Sequence, residues 1–410
     1  MTAPAPFPDT TTARPPWRLL ALLVAMSSIG PTAMTILVPA IPVMAVELST
    51  SPEVLQLTVS LYLACLAVAQ LVLGTLSDRF GRRPVVIAGL ALTAITSLAA
   101  IAATSVSMLI AMRSMQAFGA STGQVIGRAM VRDLYERDRA AAMIGWVTMA
   151  VVVAPIFAPL AGGILDEAFG WPAIFVFLAV WAVLVLLWAL RDLPETRKPY
   201  GIDGARPRAG ADTRALFASP VFIGYVLCAS LGCGAFFVFL GGGSFVIVDI
   251  MHRSTLESGV WFATTSVGYM LGNYAAARAS QRFGVPAMVR WGLIIEVIGT
   301  TLTAAISGAF PDAGPALIFL PQLIIQFGNG VLLPNAIAGA ISIRPQAAGT
   351  ASGICGFAQM AFGAVAAQGV AYVHTLVGAT TALPLSLSML FFAVVALISY
   401  YALVHRRRMS

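Results

Sequence analysis

Charge is absent from long stretches of this sequence. Leu19 to Val46, Val54 to Ser77 and Pro84 to Met112 each run without a single Asp, Glu, Lys or Arg. An α-helix rises about 1.5 Å per residue, so about 20 such residues cross the roughly 30 Å hydrocarbon core of a bilayer. The chain as a whole follows suit. Of its 410 residues 59% are hydrophobic and 10% charged, against about a quarter charged in soluble domains. An all-α integral membrane protein is predicted, and a soluble fold is excluded.

The runs divide into twelve predicted spans: 19–46, 54–77, 84–104, 106–131, 140–165 and 170–190, then 219–248, 257–278, 286–308, 314–342, 347–374 and 378–404. Residues 1–16, rich in Pro and Thr, read as a disordered tail. The first run is too long for a signal-peptide core, and Ala45-Val46-Glu47-Leu48 is a poor cleavage site, so it is expected to be retained. The polar segment 191–218 is the one long interruption. It separates a six-helix bundle at 17–190 from another at 219–405.

Basic residues set the orientation. With the N-terminus in the cytoplasm, the series from Arg14 and Arg18 to Arg406–Arg408 falls inside, and Arg253 stands alone on the outer loops. Both termini are therefore expected to be cytoplasmic. The net charge of +7 is accounted for by this asymmetry, and no nucleic-acid partner is predicted. Cys65, Cys228, Cys233 and Cys355 lie within apolar runs without metal-site spacing, and His252, His374 and His405 are scattered, so no metal site is predicted. With no His-Glu-x-x-His and no paired intramembrane aspartates, an enzyme is not predicted either.

Between the second and third spans lies Gly74-Thr75-Leu76-Ser77-Asp78-Arg79-Phe80-Gly81-Arg82-Arg83-Pro84-Val85. This segment reads as a tight loop, in which glycine reverses the chain and Pro84 opens the next helix. Asp78 is expected to accept hydrogen bonds from a neighbouring helix N-terminus and from nearby arginines. Ser77-Asp78-Arg79-Phe80-Gly81 recurs as Ser280-Gln281-Arg282-Phe283-Gly284 after the second span of the other half, which predicts an internal duplication.

The spacing Gly-x-x-x-Asp-Arg-x-Gly-Arg-Arg-Pro resembles the signature loop of the major facilitator superfamily of transporters. The resemblance implies twelve helices in two six-helix halves around a site near the midplane. It makes Gly74, Asp78, Arg79, Gly81, Arg82 and Arg83 a conformational gate. Arg113-Ser114-Met115-Gln116 resembles the superfamily's fourth-span motif, whose arginine is associated with proton coupling; the bland alternative is an arginine that snorkels to the surface. Glu296 is the one acid deep in a span. A structural partner or simple protonation of its carboxyl, and a role in proton transfer, are all open to it.

Gly119, Gly123 and Gly127 recur every four residues, as Gly349 and Gly353 do on a smaller scale, and such faces admit close helix approach. In the fifth span, Pro155, Pro159, Gly162 and Gly163 resemble the motif of the superfamily's exporters, with Ala158 replacing the usual glycine.

Most of the N-terminal half is similar to the Bcr/CflA-type drug:proton antiporters. The stretches that carry this are Leu37 to Pro42, Gln56 to Tyr62, Gly74 to Val85, Val131 to Tyr135 and, in the other half, Phe236 to Phe239. The likeness implies proton-coupled efflux of small amphipathic compounds across a bacterial inner membrane by a monomer. It also implies the proton gradient as energy source and no cofactor. An importer or facilitator of a metabolite is the alternative. Where these exporters carry a first-span acid, this chain has Thr35. The expected cavity liners are Thr35, Gln116, Gln124, Gln326, Asn329 and Asn335, with Phe236, Phe237 and Phe239 as an aromatic wall. With no acid in its half of the membrane, Arg113 is expected to be offset by an anionic group on the substrate.

Overall fold

A computed structural model describes residues 17–134, 143, 147, 154, 157–196, 209–344 and 347–405. The tail 1–16, Pro155, Arg406–Arg408 and much of the linker 191–218 lie outside the described residues. The described chain is helical: α1 (Trp17–Thr35), α2 (Ile41–Glu47), α3 (Pro52–Phe80), α4 (Arg82–Ile101), α5 (Val106–Leu134), α6 (157–169), α7 (Pro172–Asp192) and α8 (Ala209–Phe217) come first. Then follow α9 (Pro220–Phe245), α10 (Thr255–Phe283), α11 (Val285–Ala309), α12 (Pro315–Phe319), α13 (Gln322–Ser342), α14 (Ala348–Leu376) and α15 (Leu383–Ser399).

Nine helical segments among the described residues are long and apolar enough to cross a membrane. Helices α5 and α10 have 29 residues each, enough to cross as well, but carry more polar side chains. The fifth expected span is represented by α6. Among the described residues, two predicted spans are broken into separate helices. The first is α1 and α2 with a 3-10 turn at Val38–Ala40 between them, and the tenth is α12 and α13, parted before Gln322. Pro39, Pro42 and Pro321 stand at these breaks, where the missing N–H leaves no ladder bond to make.

The predicted loop between the second and third spans shrinks to one residue. Helix α3 continues through Gly74, Asp78, Arg79 and Phe80, and α4 begins at Arg82. Only Gly81 is left to turn the chain, and it does so at φ +102°, a region that side chains with a Cβ seldom enter. Gly284 repeats this at φ +80° between α10 and α11. Two 29-residue helices, each ended by one left-handed glycine, give the predicted duplication a structural counterpart.

Glycines also set how closely helices approach. A Cβ at Gly123 would stand 2.1 Å from the Met26 carbonyl oxygen, and one at Gly119 2.6 Å from that of Gly89. The α5 stripe thus seats α1 and α4 as expected. Gly353 departs from expectation, because nothing lies within 4 Å of a Cβ built there.

The halves touch at the end away from the Gly81 turn. A Cβ at Gly163 would lie 2.7 Å from the Thr255 carbonyl oxygen, and one at Gly259 2.6 Å from that of Pro159. Between α3 and α14, the Ser60 hydroxyl donates to Gln368 Oε1 (2.9 Å), and Gln368 Nε2 donates to the Glu53 carbonyl (3.1 Å).

Candidate functional site

A cavity of about 200 Å³ lies between the halves. Pro31 and Met34 of α1, Leu66 and Gln70 of α3 and Gln124 of α5 form one wall. Cys233, Phe236 and Phe237 of α9, Ser266 and Tyr269 of α10, Gln326, Asn329 and Leu333 of α13, and Gln359 and Met360 of α14 complete it. No described lining residue is charged. Five amide side chains punctuate an apolar surface, which is what a site for orienting small, mostly apolar molecules requires.

Gln124, Phe236, Phe237, Gln326 and Asn329 stand where the sequence places them. Thr35, Gln116, Phe239 and Asn335 do not line this cavity, and the reason is local in each case. The Thr35 hydroxyl donates back to the Pro31 carbonyl (3.2 Å), and Asn335 Nδ2 to the Val331 carbonyl (2.8 Å), so both polar groups are satisfied on their own helix. Phe239 packs against Phe262, with ring centroids 4.4 Å apart, in the apolar core. Gln70 and Gln359, which helical spacing in a uniformly apolar run does not single out, take their places.

Gln116 is absorbed by Arg113. The Arg113 guanidinium is 1% exposed, so it does not snorkel to the surface. Its Nη1 donates to Gln116 Oε1, its Nη2 donates to the Ala33 carbonyl (2.8 Å), and the group lies 4.3 Å from the centroid of the Tyr62 ring. Gln116 Nε2 donates onward to Ser97 Oγ (2.6 Å), and the Tyr62 hydroxyl to the Gly30 carbonyl (3.0 Å). A carbonyl near the broken end of α1, an amide and an aromatic face thus surround the cation. Against expectation Arg113 does not line the cavity, and the groups that meet its two terminal nitrogens and its face are neutral ones of its own chain.

At the Gly81 turn, Asp78 pairs with Arg82 (2.5 Å), and Arg82 Nε also reaches Asp133 of α5 (3.1 Å). The role expected of Asp78 at a helix N-terminus belongs to Glu195 instead. Its carboxylate accepts from the backbone N–H of Arg82 (2.9 Å) and of Arg83 (3.1 Å). Those N–H groups start α4 and have no partner within their helix. Arg83 Nη2 donates to the Leu190 carbonyl at the end of α7 (2.7 Å). Of the fifth-span motif, Gly163 forms the close contact with α10, Pro159 faces Gly259, and a Cβ at Gly162 would collide with the Ile36 carbonyl oxygen in the break after α1.

Glu296 sits in α11, fully buried, and neither carboxyl oxygen has a hydrogen-bond partner among the described residues. It lies outside the cavity lining but against Gly232, where a Cβ would stand 3.3 Å from Oε2.

Residues 22–367 match the Major Facilitator Superfamily. The chain is 31% identical over 338 residues to Multidrug resistance protein D of Escherichia coli, covering 82% of this chain and 84% of that one. It is 28% identical over 390 residues to the Bicyclomycin resistance protein homolog of Haemophilus influenzae, covering 94% and 96%. Among solved structures, a bacterial homolog to the human lysosomal transporter Spinster, in an inward-facing and unoccupied conformation, superposes with a TM-score of 0.77 at 18% identity, covering 95% of this chain and 97% of that one. The family match runs through both glycine turns and the helices on either side of the cavity, and the chain belongs to the major facilitator superfamily.

Proposed function

We propose that this protein exports small amphipathic compounds across a bacterial inner membrane by alternating access, driven by the proton gradient. The observation that carries this reading is the cavity between the halves. It is apolar, free of charged side chains among its described residues, and ringed with amides. Such a surface discriminates weakly, because apolar contacts adapt to differently shaped molecules. The resistance proteins among the relatives support export over uptake.

The bundles 17–190 and 219–405 rock about this cavity, joined by the linker 191–218, with both termini in the cytoplasm. Contacts at Gly163–Thr255, Gly259–Pro159 and Ser60–Gln368 close the outer end, and the Gly81 turn with its ion pairs belongs to the inner one. The transporter works as a monomer, without cofactor; its partners are the substrate, protons and the bilayer.

The test is accumulation in everted membrane vesicles of compounds chosen by a susceptibility panel in a pump-deficient host. Accumulation that collapses with an uncoupler supports proton-driven export. Uptake confined to right-side-out vesicles overturns it in favour of an importer.

A further inference from the structure

We propose that Glu296, in the C-terminal half, is the residue that binds and releases the coupling proton, through the cavity wall formed by Cys233 and Asn329. This rests on the proton-coupled reading above and answers a question that reading leaves open. Among the described residues the N-terminal spans hold no carboxyl at mid-depth: Thr35 stands in the first span and cannot titrate, and Glu53 and Asp166 lie near the outer ends of their helices.

Three observations point to Glu296. It is 0% exposed in the middle of α11, and neither oxygen has a donor among the described residues. A structural acid at such depth would be expected to keep a hydrogen-bonded partner, because an ionised carboxylate without one is the costliest group a membrane interior can hold.

Secondly, nothing charged among the described residues faces it. Helices α12, α13 and α15 carry no ionisable side chain. Helix α9 brings Cys233 close, with Cys228 and Tyr225 further toward its start. Helix α10 brings Tyr269 and Tyr274, with Glu257, Arg278 and Arg282 nearer its ends. Tyr400, Tyr401 and His405 lie beyond α15, and Arg290 stands on α11 itself, toward the Gly284 turn. With no cation to pair with, the carboxyl in this closed packing holds its proton.

Thirdly, the wall between Glu296 and the cavity is thin. Oε2 lies against Gly232, and a Cβ at Gly328 would stand 2.8 Å from the Glu296 backbone nitrogen. The next residue on each of those helices, Cys233 and Asn329, lines the cavity. They touch each other, Sγ to Oδ1 at 3.8 Å, and Asn329 Nδ2 reaches the Gly232 carbonyl at 3.5 Å. These contacts are long for hydrogen bonds. A small shift of α9 against α13 parts them and lets cavity water reach the carboxyl.

The proton then has a defined course. Water entering from the cytoplasmic side takes the proton from the Glu296 carboxyl and leaves a carboxylate that stays stable only while wet. Outside water returns a proton to it in the outward-open state, and the wall can close again. A compound held against Cys233 and Asn329 keeps that wall parted and the carboxylate wet, so substrate and proton bind at one wall in turn, as export against an inward proton flow requires.

The test uses the full-length protein. Infrared difference spectra of purified protein across a pH titration report the carbonyl stretch of a protonated carboxylic acid. The wild type is expected to show this band, Glu296→Gln to lose it, and Glu296→Asp to keep a shifted one. In everted vesicles, Glu296→Gln is expected to lose gradient-driven accumulation of a compound the wild type accumulates, and in detergent to lose the pH dependence of its binding. Glu296→Asp, which keeps the acid, guards against a misfolded glutamine variant. If Glu296→Gln keeps the band or keeps gradient-driven accumulation, Glu296 is not the carrier. If the wild type itself shows no gradient-driven accumulation, the export reading fails as well, and the two failures are told apart by which protein is silent.

Discussion

The Glu195 carboxylate closes the N-terminus of α4 by accepting the Arg82 backbone N–H at 2.9 Å, from a position 113 residues further along the chain. Anions at helix N-termini and side-chain caps are worth about 1 kcal/mol. Glu195→Ala is therefore expected to lower stability by about that amount in thermal unfolding followed in detergent. Glu195→Gln, which keeps an acceptor, should lose less.

Gly81 is tied to the same carboxylate. A Cβ there would stand 2.7 Å from Glu195 Oε2, on a residue at φ +102°. Gly81→Ala should cost more than Glu195→Ala, on the order of 2 kcal/mol. In the double variant the collision is removed and the backbone strain remains. The double variant is then expected to lose less than the sum of the two single losses, a double-mutant cycle that unfolding measurements can read.

Arg82 bridges α3 and α5 through Asp78 at 2.5 Å and Asp133 at 3.1 Å. Asp78→Asn leaves the Asp133 contact in place, whereas Arg82→Ala breaks both. Both variants should slow transport in vesicles, Arg82→Ala more, while binding in detergent changes little. Loss of binding with a normal rate would remove the turn from the conformational switch.

Arg113 is expected to support the fold and not to select substrate charge. It is 1% exposed and held by Ala33, Gln116 and Tyr62. Arg113→Ala should destabilise by about 3 kcal/mol, since it strands a buried amide and carbonyl. Arg113→Lys should recover part of this, lacking the planar fork. In a competition series of cationic, neutral and anionic compounds of similar size, the neutral ones should compete best, and Arg113→Lys should leave the order unchanged.

Gly163 and Gly353 make a matched pair for the outer contact. A Cβ at Gly163 meets the Thr255 carbonyl oxygen at 2.7 Å, whereas one at Gly353 meets nothing within 4 Å. Gly163→Ala should hold the outer ends apart and depress transport, and Gly353→Ala should not. Labelling of a cysteine introduced near Thr255 would register the difference in access.

The sequence by itself determined that this is a membrane-embedded bundle, where most of its helices run, and that its halves repeat. Charge and glycine carry that information in one dimension. An uncharged run long enough for the bilayer has little choice but to be a helix, and Gly81 and Gly284 mark turns because other residues resist a left-handed φ. The sequence also named Arg113 and Glu296, since charge stands out where there is almost none.

Tertiary structure decided which way each helix faces. In a soluble helix the polar stripe reveals the outer face, but in a bilayer lipid and protein interior are both apolar, so the stripe is lost. Thr35 and Asn335 looked like cavity residues and are satisfied on their own helices, whereas Gln70 and Gln359 point into the cavity. Glu195 could not be found from local spacing, because its partners lie far away in the chain. Tyr62 reads as one more apolar residue until folding sets its ring 4.3 Å from the Arg113 guanidinium. Pairing across distant segments and rotation of a helix about its axis leave no periodic trace in a sequence whose helices are apolar all round.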